Sequence, residues 1–154
     1  MVDESPHDFV VRIAIAKATT VSGGPGDDRL VLGADTIVVV GGDVLGKPRD
    51  SDDAASMLRR LAGRTHEVLT GVALVRGLDR RTEVASTRVT LVDLDAGAIR
   101  AYVATGEPMD KAGAYGVQGI ASRFVDRIEG SYTNVVGLPM AVVERLVKEM
   151  DDGI

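Results

Sequence analysis

Apolar and polar positions along this chain repeat with two different periods. Phe9, Val10 and Ile13 form a stripe from which Arg12 turns away, and this spacing predicts a helix over residues 8–21. Lys17 follows Ile13 by four residues, so its ammonium lies along the apolar stripe. A lysine laying its stem along a core edge is the plainer account of that placement. After a loop at residues 23–28, residues 30–40 are β-branched and nearly unbroken, as a strand covered on both faces reads. Gly41-Gly42-Asp43 then predicts a hairpin turn into a short strand through Val44 and Leu45. Asp50 or Ser51 can cap a helix that runs to Leu61 and closes at Gly63. Residues 66–75 and 83–94 alternate as long strands joined by a turn at 77–81. Asp95 can cap a short helix through Ile99, Tyr102 and Val103, and residues 106–119 form a long Gly-rich loop of the functional kind. A strand near 124–128, a loop through Gly137 and a closing helix over 139–150 complete the pattern. Helices alternating with strands and hairpins predict an α/β fold with a mixed sheet.

Composition narrows the function classes. A chain of 154 residues fits one domain, residues 1–154, with a core of Val, Leu, Ile and Ala. The net charge of −5 argues against a general binder of nucleic acid or anionic membranes. With no Cys and two His, neither a thiolate nucleophile nor a Cys- or multi-His metal site is available. A metal here is expected to be hard and oxygen-bound, Mg²⁺ or Mn²⁺. The absence of a membrane-length apolar run, and a start unlike a signal peptide, lead to the expectation of a soluble, cytoplasmic protein.

Against that background Asp35 stands out, because it interrupts the most apolar stretch. An ionised carboxylate there is costly to desolvate unless a cation, a metal or several donors receive it. Gly33, two residues earlier, leaves room for a ligand or another backbone to approach. Asp3-Glu4, Lys17, Gly46-Lys47-Pro48 and the run Asp110 to Gly119 likewise place charge beside glycine or proline. Lysines from separate elements can converge on phosphate charge, carboxylates can hold a divalent cation, and Asp35 can orient or deprotonate a water. No Gly-rich loop ends in Gly-Lys-Ser/Thr, so this is not a Walker P-loop.

Gly33-Ala34-Asp35-Thr36, Leu45-Gly46-Lys47-Pro48, Leu61-Ala62-Gly63-Arg64-Thr65-His66 and Thr70-Gly71-Val72-Ala73 follow one another in an order that resembles the Maf family. Tyr102 through Glu107-Pro108, Asp110 to Gly119, and Gly130 to Pro139 continue the resemblance over essentially the whole chain. Maf proteins are nucleoside triphosphate pyrophosphatases, also called septum-formation-inhibitor-like proteins. The resemblance implies a fold like that of the inosine-triphosphate pyrophosphatases, an elongated mixed sheet with flanking helices and a central cleft. It implies a metal-dependent split of a nucleoside triphosphate into monophosphate and pyrophosphate, and a homodimer. Asp35 falls on the family's catalytic acidic position and is also a metal ligand candidate, with Glu4 as the second. Lys17, Lys47 and Lys111 become candidate triphosphate contacts. Thr36 and Gln118 fall on positions that separate specificity subgroups, here of the dTTP/UTP type.

The family usually opens with a strand, a Ser-x-Ser-Pro-Arg-Arg loop and a helix before the Asp-Glu pair. This sequence starts at that pair, so the resemblance implies N-terminal truncation and weaker hold on the triphosphate. Two other readings follow: a catalytically impaired nucleotide-binding or cell-division regulatory protein, and a 7-methyl-GTP pyrophosphatase. Arg64 and His66 fit capping at a helix-to-strand junction, and Asp50, Asp52 and Asp53 fit a helix N-terminus. Tyr115 and Tyr132 fit either stacking on a base or packing of the loop.

Overall fold

The computed structural model describes residues 3–152. Helix α1 spans Pro6–Val21, starting two residues before the predicted helix because Ser5 caps it and Pro6 suits its first turn. Strands β1 (Val31–Val40) and β2 (Asp43–Leu45) form the expected hairpin. Helix α2 (Ser51–Leu61) is capped by Asp50, whose carboxylate accepts the Asp53 N–H at 2.7 Å. Strands β3 (Thr65–Arg76) and β4 (Asp79–Leu91) follow, then α3 (Ala96–Ala104), capped by Asp95. Short 3₁₀ turns at Glu107–Asp110, Ala112–Ala114 and Ile120–Phe124 lead into β5 (Val125–Glu129). The chain closes with α4 (Tyr132–Val136) and α5 (Met140–Asp152). No helix among the described residues is long and apolar enough to cross a membrane.

The strands form one open sheet in the order β2-β1-β3-β4-β5, antiparallel at every pairing. The turn between β3 and β4 is tighter than the predicted 77–81. Arg76 pairs with Asp79, and Gly77 takes a φ of 61° that the two-residue hairpin requires.

The two faces of the sheet are covered differently. On one face lie Val31, Gly33, Asp35 and Ile37, against which α1 packs. A Cβ on Gly33 would collide with the Ala14 carbonyl, and one on Gly71 with the Val10 carbonyl. These glycines let the helix backbone lie directly on the sheet, so Gly33 makes room for another backbone. On the opposite face, α2, α3 and the Ala114-Tyr115 segment bury Val38, Val40, Val68 and Val89. Farther along that face, Leu146 and Met150 of α5 cover Val72 and Leu74. A cleft stays open between these two coverings.

Strand β2 pairs only with Val38, Val39 and Val40. The outer edge of β1 from Val31 to Ile37 therefore has no strand partner among the described residues. The cleft wraps over this edge, taking Ala34 and Thr36 from one face and Asp35 from the other.

Candidate active site

The cleft has a volume of about 530 Å³ and gathers residues from α1, β1, the bend after β2, the 106–119 loop and the segment before α5. Lys17, Asp35, Thr36, Lys47, Lys111 and Gln118 all line it. The alternation of β1 sends Asp35 toward α1, where Lys17 Nζ donates to Asp35 Oδ1 and to the Ala34 carbonyl, each at 3.0 Å. The Asp35 side chain is 19% exposed, so it sits at a wet edge and not in the dry strand that the sequence suggests.

Thr36 points to the opposite face. Its hydroxyl donates to the Gly137 carbonyl at 3.3 Å and lies 2.8 Å from the Thr70 hydroxyl. With the Thr36 proton directed at Gly137, the fully buried Thr70 is the donor of that pair. Thr36 thus holds the segment at Gly137 while also lining the cleft.

The 106–119 loop builds the facing wall. The Gly113 N–H donates to the Gly46 carbonyl at 3.1 Å, tying the loop to the Gly46-Lys47-Pro48 bend. Ala114 takes a left-handed φ of 65°, a strained setting for a residue with a Cβ. Lys111 Nζ donates to Asp110 Oδ1 at 2.8 Å. Lys111 first, and Lys47 more weakly, hold the Asp110 carboxyl below the usual range.

Two sequence readings change. Glu4 is not brought to Asp35: its carboxylate receives both Arg12 Nε at 2.8 Å and Arg12 Nη2 at 3.0 Å, and it does not line the cleft. Arg12, turned away from the apolar stripe, is thereby paired with Glu4 outside the cleft. His66 is not a junction residue exposed for capping. It is buried, with Nε2 2.6 Å from Tyr115 Oη and the rings edge-on. Burial lowers the His66 pKa to about 4 and raises the Tyr115 phenol. Tyr115 thus packs the loop, whereas Tyr132 is half exposed. The sequence assigns no separate role to Glu107, to Thr70 or to His66 and Tyr115 as a pair. Glu107-Pro108 was the visible signal for the first, while Thr70 reads from the sequence as an ordinary strand threonine.

No group of three or more His, Cys, Asp or Glu converges among the described residues, so there is no preformed cage. Asp35 is a cleft carboxylate that could contribute one oxygen toward a hard cation.

A family model described as Maf-like protein matches residues 2–150. The dTTP/UTP pyrophosphatase of Hahella chejuensis is 53% identical over 148 residues, covering 95% of this chain and 74% of its own. That of Pelotomaculum thermopropionicum is 51% identical over 147 residues, covering 94% and 76%. That of Symbiobacterium thermophilum is 55% identical over 138 residues, covering 89% and 70%.

Proposed function

The chain belongs to the Maf-like protein family, and from that membership we propose that it hydrolyses a nucleoside triphosphate, dTTP or UTP by preference, to the monophosphate and pyrophosphate. The observation that carries this reading is the convergence of Asp35 with Lys17, Lys47 and Lys111 on one cleft. Three lysines offset Asp35, Glu107 and Asp110 there, so the cleft lining carries no net negative charge in a protein of net charge −5, which favours entry of an anionic ligand.

In this reading Asp35 orients the attacking water and accepts its proton. The water oxygen bonds to the α-phosphorus, and the bond from that phosphorus to the α–β bridging oxygen breaks. The electron pair leaves with pyrophosphate, whose charge faces the lysines. Lys17, bonded to one Asp35 oxygen, fixes the carboxylate's orientation and leaves Oδ2 for the water. Asp35 is the residue that would hold a divalent cation, which when bound neutralises charge on the phosphate oxygens. Gln118, exposed on the wall, can donate and accept at a pyrimidine edge. A cytoplasmic homodimer belongs to the same reading through the family resemblance, and light scattering in solution tests the dimer.

The test is a panel of standard and modified nucleoside triphosphates, with pyrophosphate and monophosphate both measured as products. Preferential turnover of dTTP and UTP is expected. Preference for 7-methyl-GTP would overturn the substrate class, and release of inorganic phosphate in place of pyrophosphate would overturn the site of cleavage.

A further inference from the structure

Gln118 stands in a four-residue turn, Gly116 to Gly119, closed by the Gly119 N–H on the Gly116 carbonyl at 3.2 Å. Val117 is buried at its root while Gln118 is exposed on the cleft wall. Side chains from outside the turn brace both of its feet. The Gly116 N–H donates to Tyr102 Oη at 3.2 Å, and the Ile120 N–H donates to Glu107 Oε1 at 3.0 Å. The Glu107 carboxylate also lies flush against Gly119, where a Cβ would collide with it.

Glu107 is an odd residue for this wall. A carboxylate repels a triphosphate, yet Glu107 lines the same cleft as the lysines. Its Oε2 is buried with no hydrogen-bond partner of good geometry. Burial first, and then the nearness of Glu107, raise the pKa of the Tyr102 phenol. The contacts that Glu107 makes are with the turn and its bracing tyrosine.

We propose that Glu107 is a positioning residue for nucleobase selection: by holding Gly119 and Ile120 it fixes the turn, and so the place of Gln118 in the cleft. This rests on the pyrophosphatase reading above. Hydrogen-bond discrimination requires donors and acceptors held to about half an ångström. A turn released at one foot spreads Gln118 over several positions, while Asp35 and Lys17 on the opposite wall stay in place.

The experiment compares kcat/KM for dTTP and GTP in wild type, Gln118→Ala, Glu107→Ala, Glu107→Gln and the Glu107→Ala/Gln118→Ala pair. Glu107→Ala should lower the dTTP-to-GTP ratio about tenfold or more, through KM for dTTP, the scale of one lost polar contact. The pair should lose no more than Gln118→Ala alone. Glu107→Gln keeps an oxygen for the Ile120 amide and removes the charge, so it should retain the ratio. Should Glu107→Ala fail to fold, Gly119→Ala displaces the same carboxylate from the other side and should show the same loss. An unchanged ratio in Glu107→Ala, an additive pair, or a Glu107→Gln as unselective as Glu107→Ala would each overturn the proposal while leaving the pyrophosphatase reading intact. A wild type that releases no pyrophosphate from any triphosphate would overturn both.

Discussion

His66 shows how one buried side chain ties stability to pH. Its ring is enclosed between β3 and the cleft loop, facing the Tyr115 hydroxyl, and burial holds its pKa near about 4 against an ordinary 6.5. The unfolded chain therefore binds a proton that the folded chain refuses between those two values. Stability is complete above about pH 6.5, falls as pH drops toward about 4, and levels off below. The loss over that window is on the order of 3 kcal/mol. Melting temperature measured from pH 7.5 to 4 should fall through this range, and His66→Gln, which cannot titrate, should flatten that part of the curve. A parallel decline in the variant would assign the loss to the carboxylates. Position 66 shows why such a residue hides in a sequence: a His at a strand start looks like a cap until the tyrosine 49 residues away closes over it.

At the scale of elements, the seating of α1 decides where Lys17 points. The helix lies on Gly33 and Gly71, with Ala14 and Ala18 fully buried at the contact. Gly71→Ala would push a methyl against the Val10 carbonyl, and overpacking of this kind costs about 1–3 kcal/mol. Urea unfolding should register that loss, and KM for the triphosphate should rise as Lys17 moves off Asp35. A variant of wild-type stability would mean that α1 is seated more loosely than its backbone contacts imply. The helix periods, the β1–β2 hairpin and the Asp50 and Asp95 caps were all legible in the sequence, because each is set by neighbours in the chain. The close approach at Gly33 was legible too, since a glycine in a β-branched run has few other uses. Gly71 was not, because it takes its meaning from a helix some sixty residues earlier. Helix α4, five residues long, is shorter than two turns and offers no period to read.

At the scale of the whole sheet, the β1 edge from Val31 to Ile37 has no strand partner among the described residues, and the cleft lies over that stretch. The sequence pointed to Asp35, Lys17, Lys47, Lys111, Thr36 and Gln118, and the fold brings all of them to this one cleft. It does not bring Glu4, because Arg12 offers a bidentate partner that no pattern of spacing announces. The lysines should act mainly on binding: Lys47→Ala is expected to raise KM about tenfold, the scale of one charge-assisted contact, with a smaller change in kcat. An unchanged KM would remove Lys47 from the triphosphate site. The central claim is that Asp35, held by Lys17 at the cleft edge, activates the water that splits the triphosphate. Turnover of dTTP by Asp35→Asn, measured beside its melting temperature, tests it most directly. The account predicts a folded protein whose kcat is lower by about 10²-fold or more, the scale of a lost general base. A folded Asp35→Asn variant that releases pyrophosphate at the wild-type rate would contradict it.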